Sequence, residues 1–179
     1  MLTFDQYLTA ASLREALDAL NSIPGARIVA GATDLLPWAR EGRAGDVHLS
    51  ALVDVSQVPE LRVLRLENGR IHMGAATTIS DFQHDPLLRE QASVLGRCAV
   101  WFADDQLREQ ATVGGNLVNA SPAGDSQPAL LATNTHVTLA RLENGAIRER
   151  TLPLSEFVVG PGQTLRKPQE IMTRLELDA

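Results

Sequence analysis

The apolar positions of this chain recur with two periods, one helical and one alternating, and the order of the two divides the sequence. Leu13, Ala16, Leu17 and Leu20 stand at helical spacing and predict an amphipathic helix with one buried face. Ser12 precedes that run and Glu15 follows three residues later, a capping box in which the serine accepts one end N–H and the glutamate reaches back to another. The pattern stops near Asn21, and Pro24-Gly25 makes the turn. Arg27 to Ala30 reads as a short buried strand closed by Gly31. Thr33 or Asp34 caps the helix that follows, with Pro37 in its first turn, where a missing N–H removes no helical bond. Val47 to Val55 is a further strand.

Near Ser56 the order changes. Leu61 to Leu66 and Arg70 to Gly74 flank Asn68-Gly69, and Val137 to Leu142 and Ile147 to Leu152 flank Asn144-Gly145. Asn-Gly between strands is a strong hairpin signal, because both residues accept the positive φ of a type I′ turn. Between the hairpins, Thr78 or Ser80 starts a short helix through Phe82. Leu88, Ala92, Leu95 and Ala99 stay in register and predict one helix over Leu87 to Phe102. Ser126 to Ala132 is a short helix with Pro128 in its first turn. Ile171 to Leu177 is the closing strand.

Composition narrows the function classes. The chain has 179 residues, 44% of them hydrophobic and 21% charged, enough for one large domain or two small ones with a real core. A net charge of −6 argues against nucleic acid or an anionic membrane as the main partner. No apolar run approaches the roughly 18 residues of a membrane span. The N-terminal residues lack the basic and long apolar regions of a secretory signal, so a cytoplasmic location is expected. Cys98 is the only cysteine, which excludes an internal disulfide and a thiolate metal or iron–sulfur site. His48, His72, His84 and His136 never pair at i+3 or i+4, and no metal site is predicted.

Two glycine segments carry the candidate chemistry. In the first, IVAGATDLL (Ile28 to Leu36), Gly31 lets the chain leave a strand with consecutive N–H groups exposed before a helix, an arrangement that suits a phosphate. Turn geometry alone is the competing explanation of this glycine. Asp34 would repel a phosphate, so its carboxylate is expected to turn away and cap the next helix. In the second segment, Thr112-Val113-Gly114-Gly115-Asn116 reads as a loop with a hydroxyl, two glycines for close backbone approach, and an amide that bridges donor and acceptor. Asp125 follows, either as an acceptor for a ribose hydroxyl pair or as the cap of the helix after it. No Ser-His-Asp or Cys-His arrangement occurs, nor G-x-G-x-x-G nor G-x-x-x-x-G-K-[ST], and no catalytic acid or base is expected.

AGATDLL (Ala30 to Leu36), TVGGN (Thr112 to Asn116) and SPAGDSQPALLA (Ser121 to Ala132), with the intervening Trp101-Phe102 and the closing GPGQTLRKPQEIMTRLEL, resemble the FAD-binding subunit of the molybdenum hydroxylases. That family includes the medium subunit of aerobic carbon monoxide dehydrogenases and the FAD domain of xanthine dehydrogenases. The resemblance spans essentially the whole chain. It implies an α+β fold of the PCMH type, two α/β subdomains at 1–55 and 56–179 with FAD extended between them. It places Ala30, Gly31, Ala32, Thr33 and Asp34 around the pyrophosphate, with Leu35 behind them. Thr112, Gly114, Gly115 and Asn116 fall at the pyrophosphate or ribityl region and Asp125 at the adenosine end. Phe102 packs on the adenine or the flavin; plain core packing is the alternative for Phe102 and Trp101. The implied partners are an iron–sulfur small subunit that delivers electrons and a molybdopterin-binding large subunit that hydroxylates the substrate. The acceptor is NAD, a quinone or oxygen.

Three departures qualify that picture. Ala32 replaces the second glycine of the family's AGG loop; if the position needs positive φ, alanine there costs about 1 kcal/mol. Gln163 stands where many relatives have a lysine close to the flavin ring, and it offers hydrogen bonds rather than charge. Relatives also continue into a further C-terminal domain, so an engineered truncation, a proteolytic fragment and a naturally short form all stay open. The alternative function is a module that binds FAD weakly and serves as an assembly partner.

Overall fold

A computed structural model describes residues 2–40 and 47–179. The first part runs β1 (Leu2–Thr9), α1 (Leu13–Ser22), β2 (Arg27–Val29), α2 (Leu35–Arg40) and β3 (Val47–Asp54). The three strands form a parallel sheet in the order β1-β3-β2, with Leu8 and Ile28 both opposite Val53. Parallel strands need crossovers, and α1 supplies the one that carries the chain from β1 to β2, on opposite sides of β3. Its Leu13, Ala16, Leu17 and Leu20 are the buried face, as their spacing predicts. The cap differs slightly from the expected box. Ser12 Oγ accepts the Glu15 N–H at 3.2 Å, but Glu15 reaches one residue further back, to the Ala11 N–H at 2.8 Å.

β1 was not expected. Most of its residues face solvent, Phe4 and Tyr7 among them, so it lacks the alternation by which a half-buried strand is read. Its ladder to β3 and the Tyr7 hydroxyl, which donates to Asp54 at 2.6 Å, hold it in place.

The second part contains β4 (Leu64–Glu67), β5 (Arg70–Gly74), α3 (Asp81–His84), α4 (Pro86–Gln91), α5 (Ser93–Ala99), α6 (Asp105–Gln110), α7 (Val113–Asn119) and α8 (Ser126–Ala132). It closes with β6 (His136–Glu143), β7 (Ala146–Pro153), α9 (Leu154–Phe157), β8 (Val158–Gly160), β9 (Gln163–Thr164) and β10 (Ile171–Asp178). Five strands make an antiparallel sheet in the order β4-β5-β10-β6-β7. Both Asn-Gly turns have the expected left-handed pair, φ 53° and 74° at Asn68-Gly69 and 51° and 76° at Asn144-Gly145.

Two expectations in this part are corrected. The single helix over Leu87 to Phe102 is two, broken at Ala92 (φ −140°, ψ 50°). Leu88, Ala92, Leu95 and Ala99 remain buried on one side, which is why their spacing read as continuous. The bend redirects α5 so that Gly96 lies on the Phe82 carbonyl, where a Cβ would come within 2.9 Å. The Thr112–Asn116 segment is also not a loop. Thr112 is the N-cap of α7, its Oγ1 accepting the Gly115 N–H at 3.2 Å, and the two glycines lie in the first helical turn.

The main core lies between the five-stranded sheet and α3, α4, α5, α7 and α8, with Phe82, Leu95, Leu117 and Leu130 fully buried in it. A second core packs α1 on β3 and extends to Leu61, Ala76, Ala140 and Ile171, so it joins the two parts. No helix among the described residues is long and apolar enough to cross a membrane. Trp101 is 82% exposed, which removes the core reading for that residue. Phe82→Ala is accordingly expected to cost about 3–5 kcal/mol in chemical denaturation, whereas Trp101→Ala stays within about 0.5 kcal/mol of the parent.

Candidate functional site

A cleft of about 1130 Å³ runs between the loop after β2 and the wall made by α6, α7 and the β8–β9 hairpin. This is large enough for a dinucleotide. Every residue singled out above as a candidate lines it: Ala30 to Leu35, Phe102, Thr112, Gly114, Gly115, Asn116, Asp125 and Gln163. Sequence-distant segments thus meet at one surface.

The two glycine segments differ in what they present. In the first, the Leu36 N–H closes on the Ala32 carbonyl at 3.1 Å. The N–H groups of Gly31, Ala32, Thr33, Asp34 and Leu35 find no protein acceptor among the described residues. A run of free backbone donors at a cleft is a nest for an anion. In the second, every donor of the first turn is occupied. The Val113 N–H goes to Thr77 O at 2.9 Å, Gly114 to Ala75 O at 2.9 Å, Gly115 to Thr112 Oγ1 at 3.2 Å and Asn116 to Thr112 O at 2.9 Å. The second segment therefore offers side chains rather than backbone. Thr112 keeps its hydroxyl hydrogen. Asn116 Oδ1 accepts the Ser126 hydroxyl at 2.5 Å, which pins the amide to α8 and leaves Nδ2 as its free end.

Both glycine positions have packing reasons of their own. Gly31 does not need positive φ; a Cβ there would fall inside the Gln110 carbonyl, whose backbone crosses directly over it. A Cβ on Gly114 would lie 2.7 Å from the Ala75 Cβ and 2.8 Å from its carbonyl oxygen. Ala32, by contrast, sits at φ 55°, the left-handed region that the replaced glycine would occupy without strain. Ala103, on the cleft wall, has φ 40°, and Ala120 at the end of α7 has φ 48°. Such strain gathers where surrounding structure over-determines a functional surface.

Asp34 corrects one expectation. Its carboxylate does turn aside, and among the described residues it bonds across to α7 rather than capping α2: Oδ2 accepts the Asn119 amide at 3.0 Å. Burial pushes its pKa up. Asp125 occupies the N-cap position of α8 with helical φ and ψ (−60°, −27°) and makes no capping bond, so its exposed carboxylate stays available at the cleft. Phe102 is half-buried, touching the main core on one side and the cleft on the other. Arg108 fixes that turn through Nη1, which donates to Ala99 O, Phe102 O and Ala103 O at 3.2, 2.6 and 3.2 Å. Burial, and after it the Asp125 charge, pushes the Cys98 thiol up to about 11, so it is protonated and unreactive at neutral pH. Sequence reasoning missed Asn119, Arg27 and Arg166, which also line the cleft. No local pattern marks an arginine that opens a strand or follows a hairpin.

Comparison with known proteins fits this geometry. Residues 2–177 match the family described as the FAD binding domain in molybdopterin dehydrogenase. The carbon monoxide dehydrogenase medium chain of Hydrogenophaga pseudoflava is 29% identical over 97% of this chain and 58% of its own length. A putative xanthine dehydrogenase FAD-binding subunit of Escherichia coli (strain K12) is 33% identical over 96% of this chain and 57% of its own. A solved structure of the carbon monoxide dehydrogenase from Hydrogenophaga pseudoflava, in a form lacking the Mo-pyranopterin moiety, superposes with a TM-score of 0.88 at 28% identity. It covers 97% of this chain and 58% of that one. The chain thus spans under three fifths of these relatives.

The loop geometry sets opposite signs for neighbouring substitutions. Gly31→Ala is expected to prevent native folding or cost several kcal/mol, because the Gln110 backbone must move, while Ala32→Gly raises stability by about 0.5–1 kcal/mol; thermal and denaturant unfolding read both. Because burial raises the Asp34 pKa in the folded state, folding loses stability as pH rises from the ordinary carboxylate range through that raised value. Asp34→Asn is therefore expected to exceed the parent in stability at neutral pH, the difference shrinking as the pH is lowered through that window. A pH-independent difference in denaturation midpoints would contradict this.

Proposed function

Because this chain belongs to the family of FAD-binding domains of molybdopterin dehydrogenases, we propose that it is the flavin-bearing electron-transfer part of a cytoplasmic, multi-subunit molybdenum hydroxylase. An iron–sulfur small subunit delivers electrons, a molybdopterin-binding large subunit oxidises the substrate, and NAD, a quinone or oxygen is the acceptor. The observation that supports this reading most is the run of free backbone donors from Gly31 to Leu35 on a dinucleotide-sized cleft.

The division we favour falls near Ser56. Residues 1–55 carry the phosphate nest, with Ala30 to Asp34 around the pyrophosphate and Leu35 behind. Residues 56–179 carry the side chains. Thr112 and Asn116 hydrogen-bond the pyrophosphate or ribityl oxygens, and Gly114 and Gly115 let the start of α7 come close. Asp125, acceptor-only when ionised, takes the ribose hydroxyls. Phe102 packs on a ring face and Gln163 hydrogen-bonds the ring edge. When the site is loaded, the redox chemistry is the flavin's, which accepts electrons singly and passes them on in pairs. The protein contributes position, exclusion of water and electrostatics, and no side chain is assigned as an acid or base.

The strained Ala32 favours a second reading, a module with weak FAD grip that acts in assembly. An absorbance spectrum taken after FAD addition and desalting separates the two. Retained flavin bands, stronger in Ala32→Gly, are expected from the electron-transfer reading. A chain folded by circular dichroism that keeps no flavin, with or without Ala32→Gly, would overturn it.

A further inference from the structure

The cleft holds two cations that the phosphate nest does not use. Arg27 opens β2, Arg166 follows β9, and both line the cleft. Arg166 is locked in place: its Nη1 donates to the carbonyls of Lys167, Pro168 and Glu170 at 3.2, 3.4 and 2.9 Å. The nearby carboxylate, Glu170, is 1% exposed and already occupied. It receives Arg150 Nε and Nη2 at 2.7 and 2.8 Å and the Lys167 N–H at 2.7 Å. Among the described residues, neither Arg27 nor Arg166 has a carboxylate in hydrogen-bonding reach. Burial, and after it the charge of Arg27, holds the Arg166 guanidinium below the usual arginine range, with Glu170 opposing. Arg166 is half-buried and Arg27 exposed; two like charges on one wall disfavour each other, and an anion between them relieves that repulsion.

Position narrows the choice of anion. Arg27 opens β2 four residues before Gly31, and Arg166 comes from the segment after β9, so neither belongs to the phosphate nest. The resemblance places Gln163 at the ring end, and Gln163 lies on the same segment as Arg166. Asp34, the acidic group of the nest, is engaged with Asn119, and Asp125 stands on the α8 side of the cleft.

We propose that Arg166, supported by Arg27, is an anion site for the ring end of the cofactor, meeting the negative charge that gathers on the flavin's pyrimidine edge when the ring is reduced. The proposal rests on the FAD reading of the cleft. Two electrons and one proton added to the oxidised ring leave one net negative charge there, and loss of the N3 proton from the oxidised ring does the same. A fixed guanidinium favours both changes, a role that Gln163 cannot fill.

The test uses the FAD-loaded chain and its Arg166→Leu, Arg166→Lys and Arg27→Gln variants, with circular dichroism as a check of folding. Flavin affinity, midpoint potential and the pH of N3–H ionisation, read from the visible spectrum, are measured for each. Arg166→Leu is expected to lower the preference for reduced flavin about tenfold, or about 30 mV for a two-electron couple, and to raise the N3–H ionisation by about one pH unit. Arg27→Gln shifts both in the same direction by less, and Arg166→Lys restores most of the parental behaviour. Retained FAD with unchanged potential and unchanged ionisation in Arg166→Leu, or in Arg27→Gln should the leucine variant not fold, overturns the proposal. Weaker FAD binding without either spectroscopic shift overturns it too, by placing the pair away from the ring. A parent chain that binds no FAD overturns the cofactor reading itself.

Discussion

At Gly31 two backbone segments cross with no room for a Cβ, because the carbonyl of Gln110 occupies the space that a side chain would need. That crossing is the constraint on which the remainder of the site depends. It fixes the loop after β2 against the start of α7, and the bonds around it repeat the join. The Thr77 and Ala75 carbonyls hold the first turn of α7, and Asp34 reaches Asn119 near its end. The second core, with α1 and β3 on one side and Ala140 and Ile171 on the other, carries the same junction into the interior.

From this crossing follows a division of labour. The N-terminus of α7 is consumed in holding the fold, so its backbone is closed to a ligand. The loop at Gly31 is held only at its ends and keeps its donors open. The left-handed alanines at 32, 103 and 120 lie where these segments turn, and the clamp of Arg108 on three carbonyls shows how such a turn is held against strain. Around that frame the charges stand in different settings: Asp34 is half-buried and hydrogen-bonded to Asn119, Asp125 is exposed, and Arg27 and Arg166 line the cleft outside the nest.

What was legible in the sequence was local. The α1 face, both Asn-Gly hairpins, the α8 span and the closing strand follow from spacing and turn chemistry within a few residues. What was not legible depended on distant partners. β1 is exposed and is a strand only because β3 accepts it. The break at Ala92 turns α5 so that Gly96 lies on the Phe82 carbonyl, a contact made across the fold. The glycine pair at 114 and 115 opposes helix formation, and α7 forms because the Thr112 cap and the Ala75 carbonyl compensate. The residues lining the cleft were legible as motifs, but the contrast between open and closed donors was not, and neither were Arg27, Arg166 and Asn119.

The most direct measurement of that contrast is backbone amide hydrogen exchange with and without FAD. The account predicts that FAD slows exchange at Gly31 to Leu35 strongly, while Val113 to Asn116 are already slow without it and change little. Protection gained at Val113 to Asn116 with Gly31 to Leu35 unchanged would contradict it, and would move the phosphate site from the open loop to the helix.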